Sequence, residues 1–203
     1  MIIKVCGLRE ADNIRDVERL ASPDWAGLIF YDKSPRYVCT PPDYLPAGRR
    51  IGVFVNPDEA DVWQHARDYG LWGVQTYGAT PSLCRRLREG GLAVIVAIHA
   101  EGDLDRLTRP YMQCADYFLF DTPCETFGGS GRCFNHTLLN SYHGEVPFLL
   151  SGGLNAESVD AVLAVSHPKH CGIDLNSGFE TAPARKDANL LKRFIDTIRA
   201  SHA

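Results

Sequence analysis

The feature that most constrains the fold is an alternation of short apolar segments with longer, more polar ones. The apolar segments contain mainly Val, Ile, Phe and Leu, which is typical of parallel strands covered on both faces. Eight such strands are predicted, at residues 2–6, 25–30, 50–55, 73–75, 93–98, 117–120, 147–150 and 172–175.

Several intervening segments show helical periodicity. Residues 11–20 place Ile14, Val17 and Leu20 three residues apart, and residues 187–199 carry a similar apolar face. Two further helices are predicted at residues 58–69, with Asn56 as N-cap and Pro57 in the first turn, and 155–165, opened by Asn155. Prolines predict a short or irregular second and fifth connection.

Strict alternation of strand and helix indicates an α/β fold with a parallel sheet and right-handed crossovers. A doubly wound open sheet would usually use fewer strands, whereas eight units of about 25 residues close a barrel at the compact end of its size range. We therefore predict a single (β/α)8 TIM barrel over residues 1–203.

Composition excludes several classes of protein. The net charge of −4 provides no broad basic field, so no nucleic-acid partner is expected. The N-terminus lacks the pattern of a signal peptide and no apolar run of about 20 residues is present, so we expect a cytoplasmic protein without membrane contact. Monomer and homodimer both remain open.

The seven cysteines are widely spaced and contain no Cys-x-x-Cys pair. Zinc sites usually contain such close pairs, so no metal site is predicted and most of these thiols are expected to be buried and reduced. Cys6 is different because it ends the first predicted strand, at the barrel face where active sites lie.

Asp121 directly follows the sixth predicted strand and lies at the same face as Cys6. A thiolate is a competent base, and a carboxyl group partly shielded from water can keep a proton to donate. Lys4 has the same side-chain parity as Cys6 and could lie one layer below it, supplying a charge that lowers the thiol pKa. This pair predicts cofactor-independent proton transfer on a sugar.

Three glycine-bearing loops follow consecutive strands in the last part of the chain. Glycine lets the backbone approach an anion closely, and barrels often hold phosphate after strands seven and eight. The loops predict a phosphorylated small-molecule substrate, bound by Gly128, Gly129, Gly131, Ser151, Gly152, Gly153, Ser177 and Gly178.

These motifs together resemble the phosphoribosylanthranilate isomerase family of tryptophan biosynthesis. The resemblance runs over essentially the whole chain and is carried by motifs in family order: Lys4-Val5-Cys6-Gly7-Leu8, Ser34-Pro35-Arg36-Tyr37-Val38, Gly52-Val53-Phe54-Val55-Asn56, Phe120-Asp121-Thr122, Gly128-Gly129-Ser130-Gly131, Leu150-Ser151-Gly152-Gly153-Leu154 and the segment 172–180.

The resemblance implies an Amadori rearrangement of N-(5-phosphoribosyl)anthranilate to 1-(2-carboxyphenylamino)-1-deoxyribulose 5-phosphate without a cofactor. It assigns Asp121 as general acid, Cys6 as general base and Arg36 as the partner of the anthranilate carboxylate. Asp174 is expected either to orient a sugar hydroxyl or to serve a structural role.

The chain departs from the family pattern at two places. Tyr77 stands where the fourth-strand motif usually has histidine, and Phe134-Asn135-His136 stands where an aspartate and a tryptophan usually follow the phenylalanine. Two rival functions fit the sequence less well. A sugar isomerase of histidine biosynthesis would need an aspartate at position 6, and a non-catalytic metabolite-binding barrel or partner subunit would have Cys6 or Asp121 replaced.

Overall fold

The structure, a computed structural model, describes residues 1–121 and 136–201. Its sheet is a closed barrel in which eight parallel strands pair in chain order and β1 pairs with β8. This closure confirms the predicted (β/α)8 class and excludes the open sheet. The strands are β1 Ile2–Cys6, β2 Trp25–Ile29, β3 Arg49–Val55, β4 Gly73–Tyr77, β5 Ala93–His99, β6 Tyr117–Asp121, β7 Phe148–Ser151 and β8 His170–Leu175.

The register places the predicted acid and base at equivalent ends of their strands. Cys6 is the last residue of β1 and pairs with Gly27 of β2. Asp121 is the last residue of β6 and pairs with Ser151 of β7. Parallel strands end at the same face of a barrel, so both side chains reach its mouth.

The helices of the described residues are α1 Ala11–Ala21, α2 Glu59–Tyr69, α3 Pro81–Glu89, α4 Leu104–Thr108, α5 His136–Leu139, α6 Val159–Leu163 and α7 Ala188–Ala200. Four of them, α1, α2, α6 and α7, correspond to the four helical segments predicted from the sequence, with corrected ends. The predicted cap of α2 was wrong. Asn56 has a left-handed backbone at the end of β3 (φ 47°), and Asp58 instead accepts hydrogen bonds from the backbone N–H groups of Ala60 and Asp61.

The second and fifth connections are irregular, as predicted. Residues 30–48 form turns and contain no helix, and α4 is followed by a single 3-10 turn, Arg109–Tyr111. The helix predicted at 155–165 is divided into a 3-10 turn, Ala156–Ser158, and α6. Asn155 does cap this segment by accepting a hydrogen bond from Glu157.

Two apolar layers of side chains lie inside the barrel. The layer towards the N-terminal ends is apolar and contains Trp25, Ile51, Ile95, Ala97, Leu119 and Leu149. The layer at the mouth contains Cys6, Ile29 and Val53, with Tyr77 packed against them. A larger core lies between the strands and the helices, and this core leaves the mouth available for polar side chains.

A short hairpin follows β8. Its strands, β9 Glu180–Ala182 and β10 Arg185–Lys186, pair in antiparallel fashion. Asn13 of α1 fixes the hairpin by exchanging two hydrogen bonds with the backbone of Lys186, at 2.8 and 2.7 Å. The hairpin thereby brings charged side chains beside the barrel mouth.

None of the helices in the described ranges, 1–121 and 136–201, is both long enough and apolar enough to cross a membrane.

Candidate active site

A cavity of about 330 Å³ opens at the carboxyl ends of the strands. It brings together most of the predicted site residues that the structure describes: Cys6, Arg36, Asp121, Ser151, Gly152, Gly153, Asp174 and Ser177. These residues come from β1, β6, β7, β8 and the loops that follow β2, β7 and β8. The strand-end rule therefore located one continuous site.

Cys6 is almost fully buried at the bottom of this cavity, with 2% of its surface exposed. Its thiol lies against the backbone of Gly27, where a Cβ atom would approach Cys6 Sγ to 2.8 Å. Real carbon atoms do not come this close, so the thiol position depends on glycine at residue 27.

Lys4 lies beneath Cys6 and pairs with Asp174. Its Nζ donates a hydrogen bond of 2.8 Å to Asp174 Oδ1, and Ser151 Oγ donates to Asp174 Oδ2 at 3.4 Å. Burial lowers the pKa of Lys4, but the Asp174 carboxylate and the Cys6 thiol outweigh burial and raise it above its ordinary value. Lys4 is consequently a permanent cation inside the barrel.

Lys4 lowers the pKa of Cys6, as expected, but it does not determine the net direction of the shift. Burial raises the pKa of the thiol, and this effect exceeds the opposing effects of Lys4 and Lys186. The nearby Asp174 carboxylate also raises it. The net pKa lies above that of an ordinary thiol, so Cys6 is mainly protonated at neutral pH in this structure.

Asp121 is half-buried, and its neighbours set its acidity. Burial raises its pKa above the ordinary carboxyl value, and the Asp174 carboxylate adds to this effect. His99 and the Tyr77 hydroxyl act in the opposite direction. A raised pKa is the property that the role of general acid needs.

Two aromatic side chains approach the Asp121 carboxylate. The Tyr77 hydroxyl donates to Oδ2 at 3.4 Å, and Gln75 Nε2 donates to the Tyr77 oxygen at the same distance. His99 Nδ1 lies 3.8 Å from Oδ2, although its side chain is 73% exposed. Burial and the neighbouring Asp121 carboxylate raise the pKa of Tyr77 far above its ordinary value, so its hydroxyl stays neutral.

Arg36 lines the cavity and is held by a carboxylate of the hairpin. Its Nε lies 2.9 and 3.1 Å from the two Glu180 oxygens, and its Nη2 lies 2.6 Å from Oε2. Lys186 Nζ lies 2.5 Å from Glu180 Oε1 and donates to Asn176 Oδ1 at 2.7 Å. Arg36 thus reaches the site already paired on one side.

The structure describes two of the three predicted glycine-bearing loops. Gly152 and Gly153 line the cavity with positive φ angles of 96° and 61°, which suit glycine. Gly178 lies behind the cavity wall, where a Cβ atom would collide with the backbone of Leu154. Gly128, Gly129 and Gly131 fall outside the described residues.

Several residues at the site were not singled out by the sequence. His99 directly follows a predicted strand, so the strand-end rule could have found it. Glu180 ends the family motif at 172–180 but was given no role, and Lys186 has no comparable signal, because its position depends on the hairpin. Within 1–121 and 136–201, no group of three or more His, Cys, Asp or Glu side chains is arranged to hold a metal ion.

Comparison with known proteins identifies the family. A family model described as N-(5'-phosphoribosyl)anthranilate (PRA) isomerase matches residues 3–197, nearly the whole chain. The chain belongs to the phosphoribosylanthranilate isomerase family. This confirms the resemblance seen in the sequence motifs and makes the protein a member of an isomerase family of tryptophan biosynthesis.

Relatives bearing this family name are similar over their full length. The protein from Phocaeicola vulgatus is 48% identical over 203 residues, which covers 98% of each chain. The protein from Parabacteroides distasonis is 44% identical over 208 residues, covering 98% of this chain and 93% of the relative.

Solved phosphoribosylanthranilate isomerases share the fold. The enzyme from Thermotoga maritima superposes with a TM-score of 0.79 at 28% identity, covering 98% of this chain and 100% of that one. A second phosphoribosylanthranilate isomerase was solved in complex with reduced 1-(o-carboxyphenylamino)-1-deoxyribulose 5-phosphate. It superposes with a TM-score of 0.77 at 27% identity and the same coverage.

Proposed function

We propose that this protein converts N-(5-phosphoribosyl)anthranilate to 1-(2-carboxyphenylamino)-1-deoxyribulose 5-phosphate by an Amadori rearrangement. One observation carries the proposal: Cys6 and Asp121 end β1 and β6 and line one cavity together with Arg36. An acid, a base and a carboxylate-binding cation are the groups that this substrate requires.

Asp121 is the general acid of the first step. It donates its proton to the furanose ring oxygen, the bond from that oxygen to C1′ breaks, and a protonated Schiff base forms between C1′ and the anthranilate nitrogen. The burial that raises the pKa of Asp121 supports this role, because the carboxyl group retains its proton at a higher pH than an exposed aspartate.

Cys6 is the general base of the second step. Its thiolate removes the proton from C2′, and the electron pair moves into the C1′–C2′ bond to give an enolamine. Tautomerisation of the enolamine then gives the ketone. Lys4 and Lys186 favour the thiolate that this step needs, although burial opposes it.

The remaining predicted residues bind the substrate. Arg36 pairs with the anthranilate carboxylate, a task suited to a planar guanidinium. The backbone of Gly152 and Gly153 holds the phosphate together with Ser151 and Ser177, and with Gly128, Gly129 and Gly131 from outside the described residues. Gly178 supports this loop from behind the cavity wall by allowing its close approach to Leu154. Asp174 orients a sugar hydroxyl while neutralising Lys4.

The productive protonation state combines a thiolate with a protonated carboxyl group. The pKa of Cys6 is raised above the ordinary thiol range, and Asp121 remains the stronger acid of the two. The productive state is therefore a minor population of the free enzyme at any pH, and it needs no cofactor to form.

The test is turnover of freshly generated phosphoribosylanthranilate by purified protein, followed by the loss of substrate fluorescence and by mass and NMR identification of the product. Formation of the deoxyribulose phosphate at a rate well above the spontaneous rate is expected. A folded protein that leaves the substrate unchanged would contradict the proposed reaction.

A further inference from the structure

The guanidinium of Arg36 is occupied on one edge. Glu180 accepts from Nε and Nη2 at 2.6–3.1 Å, which are the donors of the side-on edge. A guanidinium is planar and rigid, so its end-on edge, formed by Nη1 and Nη2, points away from Glu180. One pairing therefore fixes the direction in which the other edge can bind a second carboxylate.

The Glu180 carboxylate is itself held in place by two other groups. Lys186 Nζ lies 2.5 Å from its Oε1, and the backbone N–H of Ala184 donates to the same oxygen at 3.2 Å. Lys186 is anchored at its backbone by Asn13 and at its ammonium group by Asn176. Burial would raise the pKa of Glu180, but Arg36 and Lys186 outweigh burial and lower it, so Glu180 is a fixed anion.

Only one of these three residues lines the cavity. Arg36 is among its lining residues, whereas Glu180 and Lys186 stand behind Arg36 and do not line it. Neither Glu180 nor Lys186 meets the ligand space directly. Because Glu180 does not line the cavity, it can affect substrate recognition either through the position of Arg36 or through its charge.

We propose that Glu180 is a positioning residue for carboxylate recognition, holding Arg36 so that its end-on edge faces the anthranilate carboxylate. This inference rests on the proposed function, which assigns Arg36 to that carboxylate. Lys186 supports it by balancing the Glu180 charge, since two cations around one carboxylate leave a surplus positive charge for the incoming anion.

Charge alone predicts the opposite effect of removing Glu180. A negative side chain close to an anion site repels the ligand, so its neutralisation would tighten carboxylate binding. Positioning predicts weaker binding, because a released Arg36 has to be immobilised at the expense of ligand affinity. The sign of the change therefore distinguishes the two explanations.

The experiment measures the binding of two ligands by isothermal titration calorimetry. The first is reduced 1-(o-carboxyphenylamino)-1-deoxyribulose 5-phosphate, and the second is the same compound without the carboxyl group. Wild type is compared with Glu180→Gln, which removes the charge, and with Glu180→Asp, which keeps the charge and withdraws the carboxylate. Glu10→Gln, on an exposed Arg9 pair, is the matched control.

Both Glu180 variants are expected to bind the carboxylated ligand about tenfold more weakly, as for a displaced charged hydrogen bond. They should bind the ligand without the carboxyl group within about twofold of wild type. Glu10→Gln should change neither affinity. Thermal melting confirms that each variant is folded.

Two results would overturn the inference. An equal loss of affinity for both ligands would mean a general structural role, and tighter binding of the carboxylated ligand would mean that Glu180 competes with the substrate. Arg36→Met locates the cause. This variant should lose the preference for the carboxylated ligand. If it keeps the wild-type preference, the assignment of Arg36 in the proposed function is wrong and the inference falls with it.

Discussion

The ammonium group of Lys4 lies 2.8 Å from the carboxylate of Asp174 inside the barrel, directly below the cysteine at the mouth. Both side chains are buried, with 0% and 5% exposure. The two strands that carry them, β1 and β8, are the pair that closes the sheet, with Lys4 opposite Asp174 in the register. The ion pair that holds a charge below Cys6 therefore also links the two strands that close the barrel.

Lys4→Met is expected to destabilise the protein by about 3–5 kcal/mol, because it leaves the Asp174 carboxylate buried without its partner. Urea denaturation followed by fluorescence measures the free energy of unfolding. Lys192→Met is the control, because Lys192 pairs with Asp196 on the exposed face of α7 and its loss should cost about 0.5 kcal/mol or less. A Lys4→Met protein as stable as the control would refute a structural role for the buried pair.

Gly27→Ala should displace the thiol of Cys6, the proposed general base, without changing the charge of the protein. Its added Cβ atom would meet Cys6 Sγ at 2.8 Å, and overpacking of this kind typically costs about 1–3 kcal/mol. We expect a lower free energy of unfolding and a fall in kcat that exceeds any change in KM. Gly48→Ala, where the nearest atom lies 3.8 Å from the new Cβ, should leave both quantities unchanged.

The dependence of kcat/KM on pH should show a plateau between two limbs. At pH values below the plateau, kcat/KM decreases as the pH is lowered, because the thiolate fraction of Cys6 decreases while Asp121 is already fully protonated. On the plateau the thiolate fraction rises about tenfold per pH unit as the protonated fraction of Asp121 falls equally. Above it the thiol is fully ionised, and the rate falls as Asp121 continues to lose its proton.

The acidic limb therefore reports Asp121 and the alkaline limb reports Cys6, each above the ordinary pKa of its group. Alkylation of Cys6 by iodoacetamide, followed as a function of pH by peptide mass spectrometry, measures the thiol independently. Its midpoint should coincide with the alkaline limb. A Cys6 midpoint below the ordinary thiol value would contradict the assignment.

Tyr77→Phe tests the hydroxyl that approaches Asp121. Removal of this donor should move the acidic limb to higher pH, because a hydrogen bond to the ionised carboxylate lowers its pKa. The bond is long at 3.4 Å, so the change in kcat should be at most about tenfold. Tyr117→Phe, at the opposite end of the barrel, should leave the profile unchanged. An acidic limb that stays in place in Tyr77→Phe would show that the hydroxyl does not act on Asp121.

The sequence was sufficient to predict which residues lie at the strand ends. It was not sufficient to predict which side chains those residues pair with. Cys6 and Asp121 could be located because the first ends a predicted apolar strand, the second directly follows one, and parallel strands end at one face. The fourth strand was predicted too short, since Thr76 and Tyr77 are polar residues that continue the pairing with β5 and β3. Polarity alone does not distinguish a strand that reaches a polar cavity from a loop.

Partner choice depends on geometry that periodicity does not encode. Arg36 was expected to be directed at a substrate carboxylate, and the structure pairs it with Glu180 from a hairpin 144 residues further along the chain. Likewise, the parity of Lys4 and Cys6 was correct, but the net direction of the thiol pKa required knowledge of burial. The net direction of such a pKa shift can be determined only when the positions of all neighbouring charges and the burial of the group are known.

The most direct measurement compares the wild type with Cys6→Ala and Asp121→Asn in the fluorescence assay of phosphoribosylanthranilate turnover. Each variant should melt close to wild type yet lose activity by about 10²–10⁴-fold, the usual effect of removing a general base or acid. Retention of near wild-type turnover by either folded variant would contradict the assignment of Cys6 and Asp121 as the acid–base pair.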